Sequence, residues 1–275
     1  MRSATAFAPG NISCIFRIIE HRDRKKRHSL GLGFTTDKGA YVTVSLAKKT
    51  EISTNGRKVH FPTVETVIKD LTDNEVRVDI RFEVPFGAGF GMSGASSIGT
   101  AYALNKLLNL GKTKRELAIV AHSAEALNGT GLGDVGGQYN GGMCAKFFRG
   151  NPLKGTRLPV KDATIYYKVF SPLETKSIIN NNRWKSKINR AGDKSLKKLR
   201  LLKDKKIGNI IAVSKDFASD SGLLIDRRVI QLIQEIERKG GHASMIMLGI
   251  SVFSDTPFKG AKKVRISQKG AHLVK

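Results

Sequence analysis

Two segments in the first half of the chain have the pattern of β-strands. Residues 39–46 are rich in β-branched and aromatic side chains, and residues 76–84 alternate apolar and charged positions. Successive side chains of a strand point to opposite faces of a sheet, so this alternation predicts a strand with one buried face. Residues 22–28 form a basic stretch that interrupts two apolar segments, and we expect them to be an exposed loop.

Apolar spacing and end signals predict two helices after these strands. Small and apolar residues recur at helical spacing over residues 95–108, directly after a glycine-rich segment. A second helix is predicted to begin after Thr113, whose hydroxyl can cap it while Glu116 reaches back in a capping box. Asn128-Gly129 is expected to end it. Its apolar face comprises Leu117, Val120, Ala121 and Ala124.

The second half is predicted to mix strands and helices. Residues 164–170 have a strand pattern, and Ser171-Pro172 combines a capping serine with a proline at the first helical position. Residues 226–239 predict an amphipathic helix that Gly240-Gly241 ends, and residues 243–248 predict a buried strand.

A turn cluster at Gly150-Asn151-Pro152 separates the two halves. We therefore expect an α+β protein of two lobes, residues 1–150 and residues 151–275.

The composition predicts a chain that can bury its own core. It has 275 residues, of which 40% are hydrophobic. Cys14 and Cys144 are its only cysteines, and neither has neighbours at metal-ligand spacing, which argues against zinc or a disulfide framework. No run of about 18 apolar residues is present, and the N-terminus lacks the apolar core of a signal peptide. We expect a cytoplasmic protein without a membrane partner.

The net charge of +25 leaves three interpretations open. It could serve binding to nucleic-acid phosphates, attraction of a small anionic substrate, or no more than a solvated basic surface. Residues 183–206 carry eleven Lys or Arg against two Asp, and aromatic residues are not interleaved as in a single-strand platform. We expect no specific nucleic-acid partner.

The glycine-rich segment at residues 85–95 has the chemistry of a phosphate-binding loop. Gly87, Gly89 and Gly91 alternate, and a helix is predicted to begin beside Ser93. Without Cβ atoms the backbone can approach an oxyanion closely, and free N–H groups at a helix start favour negative charge. The Lys-Ser/Thr pair of a Walker A loop is missing, and no clear βαβ unit follows the segment.

Three motifs in order resemble those of the GHMP kinases. The segment PFGAGFGMSGA at residues 85–95 resembles the second motif of that superfamily, and AFAPGN at residues 6–11 resembles its N-terminal motif. Residues 125–134, EALNGTGLGD, resemble the segment that bears a metal-binding glutamate and a catalytic aspartate. Within the superfamily, residues 4–10, 85–95, 129–135 and 243–249 are most similar to the archaeal pantoate kinase branch.

The resemblance implies a fold and a set of roles. It implies a ribosomal-protein-like N-terminal lobe, a ferredoxin-like C-terminal lobe, and ATP with Mg²⁺ bound between them. Asp134 would be catalytic, and Ser93 and Glu125 would bind the metal. Nucleotide binding would fall to Pro85, Gly87, Ala88, Gly89, Phe90, Gly91, Met92, Ser93, Gly94 and Ala95.

Each of these roles has a structural alternative in the sequence. Ser93 could only cap a helix, and Asp134 could be a plain N-cap. Glu125 lies late in a helix, where the dipole disfavours a carboxylate, so a ligand role suits it better than a surface role. His122, three residues earlier, is expected to be a buried histidine with its hydrogen bonds satisfied.

Two positions depart from the family pattern. Many GHMP kinases carry Lys or Arg where this chain has Asn11, and Leu30 stands where a pantoate kinase is expected to have Arg. A substrate carboxylate needs a cation, and near the first motif Arg17 and Arg22 are the candidates.

The sequence predicts a kinase that phosphorylates the primary hydroxyl of a small carboxylate, with pantoate as the substrate that the resemblance implies. Kinases for homoserine or mevalonate, and an RNA-binding protein on a related lobe, are the alternatives. A homodimer is compatible with these expectations, and the oligomeric state stays open.

Overall fold

The computed structural model describes residues 2–160, 163–172, 178 and 181–274, and it folds them around two β-sheets. In this part of the chain the strands are β1 (Ser3–Ile19), β2 (His28–Leu46), β3 (Glu51–Thr54), β4 (Arg57–Lys58), β5 (Val76–Phe82), β6 (Met143–Lys146), β7 (Thr156–Arg157), β8 (Thr164–Ser171), β9 (Ala243–Met245), β10 (Ile250–Ser254), β11 (Lys262–Arg265) and β12 (His272–Leu273). The helices are α1 (Pro62–Leu71), α2 (Met92–Leu108), α3 (Lys114–Asn128), α4 (Asp134–Asn140), α5 (Asn182–Leu201), α6 (Ile207–Ser221) and α7 (Arg227–Arg238).

The larger sheet is built on β1 and β2, which pair antiparallel along most of their length. Its order is β12-β1-β2-β5-β3-β4, and β6 pairs with the first part of β2 and with β7. Only the β3–β5 pair is parallel among the described strands of this sheet. Register shifts between Pro9 and Asn11 and between Ser13 and Ile15 interrupt β1. Such irregularities change the direction in which side chains point, and Asn11 directly follows the first of them.

Helix α2 is packed between the larger sheet and two other helices. It contacts β1 and β2, and α1 and α3 flank it. Nearly every residue of α2 is buried, which explains why its sequence is small and apolar on all sides. A Cβ on Gly99 would lie 2.6 Å from Cγ2 of Val42, so the close approach of α2 to β2 requires glycine there. This packing fixes the start of α2, where the glycine-rich loop ends.

The smaller sheet has the antiparallel order β11-β8-β10-β9. Helix α7 packs on β9 and β10, and α6 packs on β9 and on β1. Buried apolar side chains from both halves form one continuous core. The chain then returns to the larger sheet, where β12 pairs with residues Ala6 and Phe7 of β1.

Most of the elements predicted from the pattern are confirmed. Strands β2 and β8 cover the predicted segments, and β5 covers residues 76–82 of the predicted 76–84. Helix α7 matches the amphipathic helix, and Thr113 and Glu116 form the predicted capping box at α3. The basic stretch at residues 22–28 is mostly exposed and contains a short 3-10 helix, Arg24–Lys26. The start of α2 was placed correctly beside Ser93.

Other elements differ from the expectation. Strand β9 ends at Met245, and Leu248 has a positive φ of 61°, so the predicted strand 243–248 is too long. The helix expected after Ser171-Pro172 falls largely outside the described residues. Strands β7 and β12 lie after residue 150 yet pair in the larger sheet, and the division at 150 and the names of the two lobes stay predictions. None of the described helices has both the length and the apolarity to cross a membrane.

Candidate active site

A glycine loop between β5 and α2 forms one wall of a cleft of about 660 Å³. Gly87, Gly89 and Gly91 have φ values of 74°, 86° and 61°, in the left-handed region that favours glycine. Met92 and Ser93, in the first turn of α2, also line the cleft. The first N–H groups of a helix have no partner within it, so this end of the cleft offers donors to an anion.

The second half of the chain holds this loop in place. A Cβ on Gly89 would lie 2.6 Å from Cγ2 of Ile246 and 2.7 Å from the carbonyl oxygen of Met247. The hydroxyl of Ser251 donates a 3.0 Å hydrogen bond to the carbonyl of Ala88. The requirement for glycine at position 89 therefore comes from packing against residues 246–247 as well as from its φ.

Glu125 is a buried carboxylate that points toward this end of the cleft. Its side chain is 1% exposed, and its Oε1 accepts hydrogen bonds from the hydroxyls of Ser93 at 2.5 Å and Thr130 at 2.8 Å. Its Oε2 is buried and has no hydrogen-bond partner among the described residues. Burial raises the pKa of Glu125 to about 7, against the lowering effect of these hydroxyls, and Asp134 raises it further.

Asp134 is the first residue of α4 and lies beside the glycine loop. A Cβ on Gly91 would be 2.8 Å from Cγ of Asp134, so glycine at 91 makes room for the carboxylate. Its Oδ1 accepts a 2.8 Å hydrogen bond from Nδ2 of Asn11. Burial raises the pKa of Asp134 and the bond from Asn11 lowers it. The cap residue of α4 is Gly133, and the Asp134 side chain makes no capping bond.

The two carboxylates face the same small residue. A Cβ on Gly131 would lie 2.5 Å from Oε2 of Glu125 and 3.2 Å from Oδ2 of Asp134. The free oxygen of Glu125 and the hydroxyl of Ser93 are oxygen donors that suit a hard divalent cation, and Asp134 lies beside them. No cluster of three or more His, Cys, Asp or Glu suited to a metal occurs among the described residues, so further ligands would have to come from a bound molecule.

Part of the lining of the cleft is aromatic. The ring of Phe86 meets those of Phe61, at 5.7 Å between centroids, and Phe82, at 5.5 Å. Phe86 is 52% exposed, which is unusual for a phenylalanine and leaves its ring open to a flat ligand. The lining of the cleft therefore combines aromatic side chains with backbone donors and carboxylates.

A second cavity, of about 60 Å³, is lined by Asn11, the hydrogen-bond partner of Asp134. Ser13 lines both this cavity and the cleft. Lys146, the last residue of β6, also lines it, and its buried Nζ has no hydrogen-bond partner in the part of the chain that the structure describes. Burial lowers the pKa of Lys146 to about 7. Among the other lining residues are Ser29, Gly133, Gly136 and Gly137.

The structure brings together Ser93, Glu125 and Asp134 with the glycine loop, as the motifs imply. It does not bring Arg17 or Arg22 to them. Arg17 pairs with Asp193 of α5 at 2.6 Å, and Arg22 is exposed in the loop after β1. Neither lines the described cleft or the small cavity, and a substrate role for them stays a prediction.

Sequence reasoning missed the contact of Asn11 with Asp134 and the position of Lys146. The contact joins residues 123 positions apart, so no local pattern announces it. For Lys146 there was a signal, since a lysine within the apolar run of residues 143–148 is an unusual occupant. His122 is 2% exposed with Nε2 2.9 Å from the carbonyl of Arg27, as expected of a buried histidine.

Comparisons with known proteins identify the family. Residues 59–142 match the family model described as "GHMP kinases N terminal domain", so this part of the chain has the sequence of a GHMP kinase. The chain is 34% identical over 252 residues to a pantoate kinase of Methanocaldococcus jannaschii, with 90% of each chain covered. It is 28% identical to a pantoate kinase of Methanospirillum hungatei, covering 91% of this chain and 86% of the relative.

A solved structure described as a phosphotransferase related to the CoA biosynthesis pathway superimposes with a TM-score of 0.85, at 26% identity and 99% coverage of both chains. The chain thus has the GHMP kinase fold. It belongs to the pantoate kinase family.

Proposed function

We propose that this chain transfers the γ-phosphoryl group of ATP to the primary hydroxyl of pantoate, giving 4-phosphopantoate for coenzyme A synthesis. The observation that carries the proposal is that Asp134 lines the cleft with the glycine loop, while its hydrogen-bond partner Asn11 lines the small cavity that Lys146 also lines. The names of the relatives support the substrate.

ATP would lie along the cleft. Its phosphates would occupy the end formed by Gly89, Gly91 and the first turn of α2, where the backbone N–H groups neutralise negative charge. The adenine would occupy the aromatic part of the lining, against Phe86 and Phe61. Both contacts together explain why the lining of a single cleft combines aromatic side chains with backbone donors.

The residues at the phosphate end fit Mg²⁺. Glu125 has a buried oxygen without a partner, and Ser93 holds the other oxygen, so a cation would satisfy a group that is otherwise costly to bury. Magnesium is commonly held by one or two carboxylates together with the phosphates of its nucleotide. When bound, it supplies charge neutralisation on those phosphates.

Asp134 would act on the substrate hydroxyl. Asn11 fixes its Oδ1, which leaves Oδ2 to accept the hydroxyl proton as the oxygen attacks the γ-phosphorus. The proton then passes from Asp134 to solvent after the product leaves. The loop amides and the start of α2 hold the transferring group in place, so the main contributions of the chain are positioning and charge neutralisation.

Lys146 would bind the carboxylate of pantoate. Its buried Nζ is a donor without an acceptor, in a cavity that shares Asn11 with the carboxylate of Asp134. The change Lys146→Met should raise the KM for pantoate by a factor that corresponds to about 2–3 kcal/mol and leave the KM for ATP unchanged. Arg17→Ala and Arg22→Ala test the alternative from the sequence, which predicts the same increase for those variants.

The substrate itself is tested with a panel of alcohols. Purified protein is supplied with ATP, Mg²⁺ and D-pantoate, homoserine or mevalonate, and ADP release is followed. Of the three alcohols, we expect only pantoate to give ADP release above the background of an Asp134→Asn control. Turnover with homoserine or mevalonate and none with pantoate would reject the substrate and keep the kinase. A cytoplasmic location and a homodimer remain expectations from the sequence.

A further inference from the structure

Lys146 is buried in a way that disfavours its charged form. It ends strand β6 within the apolar run of residues 143–148, and its Nζ has no hydrogen-bond partner. An ammonium that loses its water without gaining an acceptor is costly, so the neutral amine is favoured. Burial lowers the pKa of Lys146 to about 7, and only Cys144 opposes this.

Among the described residues, the titratable groups around Lys146 supply no negative charge at neutral pH. Helix α3 contributes His122, whose pKa falls to about 4 because of burial first and then Lys146, so that it is neutral. Strand β2 contributes His28, whose pKa is lowered by burial and by both Lys146 and Arg149. Strand β6 contributes Cys144, whose pKa is raised by burial so that the thiol stays protonated.

Apart from Asp134, the remaining charged groups near the cavity are cationic in the described part of the chain. Lys154, in the loop after β6, lines it, and Arg157 of β7 acts on Cys144. Asp134 of α4 is not among the residues that line the cavity, and its Oδ1 accepts a hydrogen bond from Asn11, which does line it. In the described part of the chain, an anion that enters the cavity is therefore the first acceptor that the amine of Lys146 meets.

We propose that binding of the substrate carboxylate and protonation of Lys146 are one coupled event. When the pH is above neutral, Lys146 takes up a proton from solvent as the substrate binds. The inference rests on the proposed function and adds to it a dependence of substrate affinity on pH. It follows from the choice of lysine, because an arginine in the same place would stay charged at every accessible pH.

The sign follows from the two protonation states. In the free protein the pKa of Lys146 is about 7, and a bound carboxylate raises it. Below that value the ammonium is already present, and the affinity for pantoate should be independent of pH. Above it, each unit of pH should weaken binding up to about tenfold until the raised pKa of the complex is reached. At pH 8 close to one proton should be taken up per substrate bound.

Calorimetry of pantoate binding measures this uptake directly. The protein is titrated with D-pantoate at pH 6 and pH 8, in pairs of buffers whose ionisation enthalpies differ. We expect an uptake near one proton at pH 8 and near zero at pH 6. In Lys146→Arg the uptake should vanish at both values while pantoate still binds, which separates Lys146 from Glu125 and from every other group that titrates.

The outcomes distinguish this inference from the proposed function. Pantoate that is bound and phosphorylated without proton uptake at pH 8 overturns the coupling and leaves the kinase assignment intact. Pantoate that is neither bound nor phosphorylated overturns both. An independent measurement is the NMR titration of the Lys146 amine in the free protein, assigned by its loss in Lys146→Arg; a midpoint above pH 9 overturns the coupling whatever the substrate is.

Discussion

Asn11 donates a 2.8 Å hydrogen bond from its Nδ2 to Oδ1 of Asp134 and so ties β1 to the first residue of α4. A Cβ on Gly137, one turn further along α4, would come within 2.3 Å of the Asn11 side-chain oxygen, so the amide fits against the helix itself. An amide at this position orients the carboxylate and lowers its pKa without adding a positive charge. Asn11, which stands where the family pattern has Lys or Arg, thus has Asp134 as its structural partner.

The change Asn11→Ala should disturb Asp134 more than the fold. Without the amide, burial alone acts on the carboxylate, so its pKa should rise and the acid limb of the pH–rate profile should move to higher pH. We expect kcat to fall by about 10–100-fold, because orientation is lost together with basicity. Asn74→Ala, on an exposed loop, is the matched control. A kcat equal to that of the wild type would show that the contact has no catalytic role.

The change Asp134→Asn should abolish proton acceptance and keep the shape of the site. We expect kcat to fall by about 10²–10⁴ with little change in the KM for ATP, the usual size of a general acid–base contribution. Steady-state kinetics with pantoate measures both constants, and thermal unfolding checks that the variant is folded. A variant with unchanged kcat would reduce Asp134 to a structural residue.

The buried carboxylate of Glu125 should make the metal-free protein less stable as the pH rises. Its pKa is about 7 when folded against 4.5 when exposed, so the folded state binds more protons between these values. The free energy of unfolding should therefore fall as the pH rises from about 4.5 to 7, by up to about 3 kcal/mol. Glu125→Gln should lack this decrease and should also need much more Mg²⁺ for turnover.

Denaturant unfolding of both proteins at pH 5 and pH 8, in the presence of a chelator, measures the difference. Glu83→Gln serves as the control, because Glu83 is only half-buried whereas Glu125 is buried. Equal pH dependence in the wild type and Glu125→Gln would contradict the assignment of the shift to Glu125.

The change Gly89→Ala should weaken both the fold and the binding of nucleotide. The added Cβ meets Ile246 and the Met247 carbonyl, and the φ of 86° is unfavourable for alanine. Gly240→Ala is a matched control, because its φ is 82° and nothing lies within 4 Å of the added Cβ. Both should lose about 1 kcal/mol from backbone strain, and only Gly89→Ala should also bind an ATP analogue more weakly. Equal nucleotide affinity in the two variants would argue against a role of the glycine loop in nucleotide binding.

The basic surface should not give sequence-selective binding to RNA. Several cations of α5 are paired with carboxylates of neighbouring elements, such as Lys185 with Glu20 at 2.6 Å and Lys194 with Asp220 at 2.8 Å. Any affinity for RNA should fall steeply between 50 and 200 mM salt, roughly as counterion release requires, and should not depend on sequence. Tight and selective binding at physiological salt would contradict this.

Local patterns predicted elements whose signals lie within a few residues, such as the capping box of α3 and the amphipathic face of α7. Helix α5 was missed because its buried face consists partly of small residues, Ala191, Gly192 and Ser195, between many cations. The motifs located Ser93, Glu125 and Asp134, whereas Lys146 could not be placed, because its environment depends on elements far apart in the sequence. The burial and the partners of a side chain depend on contacts that form only in the folded protein. They cannot be read from a local pattern of residue types.

The carbonyl of Ala88 is held by a serine 163 positions further along the chain. A run of alternating glycines has little fixed conformation of its own, and residues 246–251 pack against the loop and hold it. The shape of this loop therefore depends on the second half of the chain. A fragment that ends near residue 150 carries every motif of the loop, and it would lack the wall that gives those motifs their form.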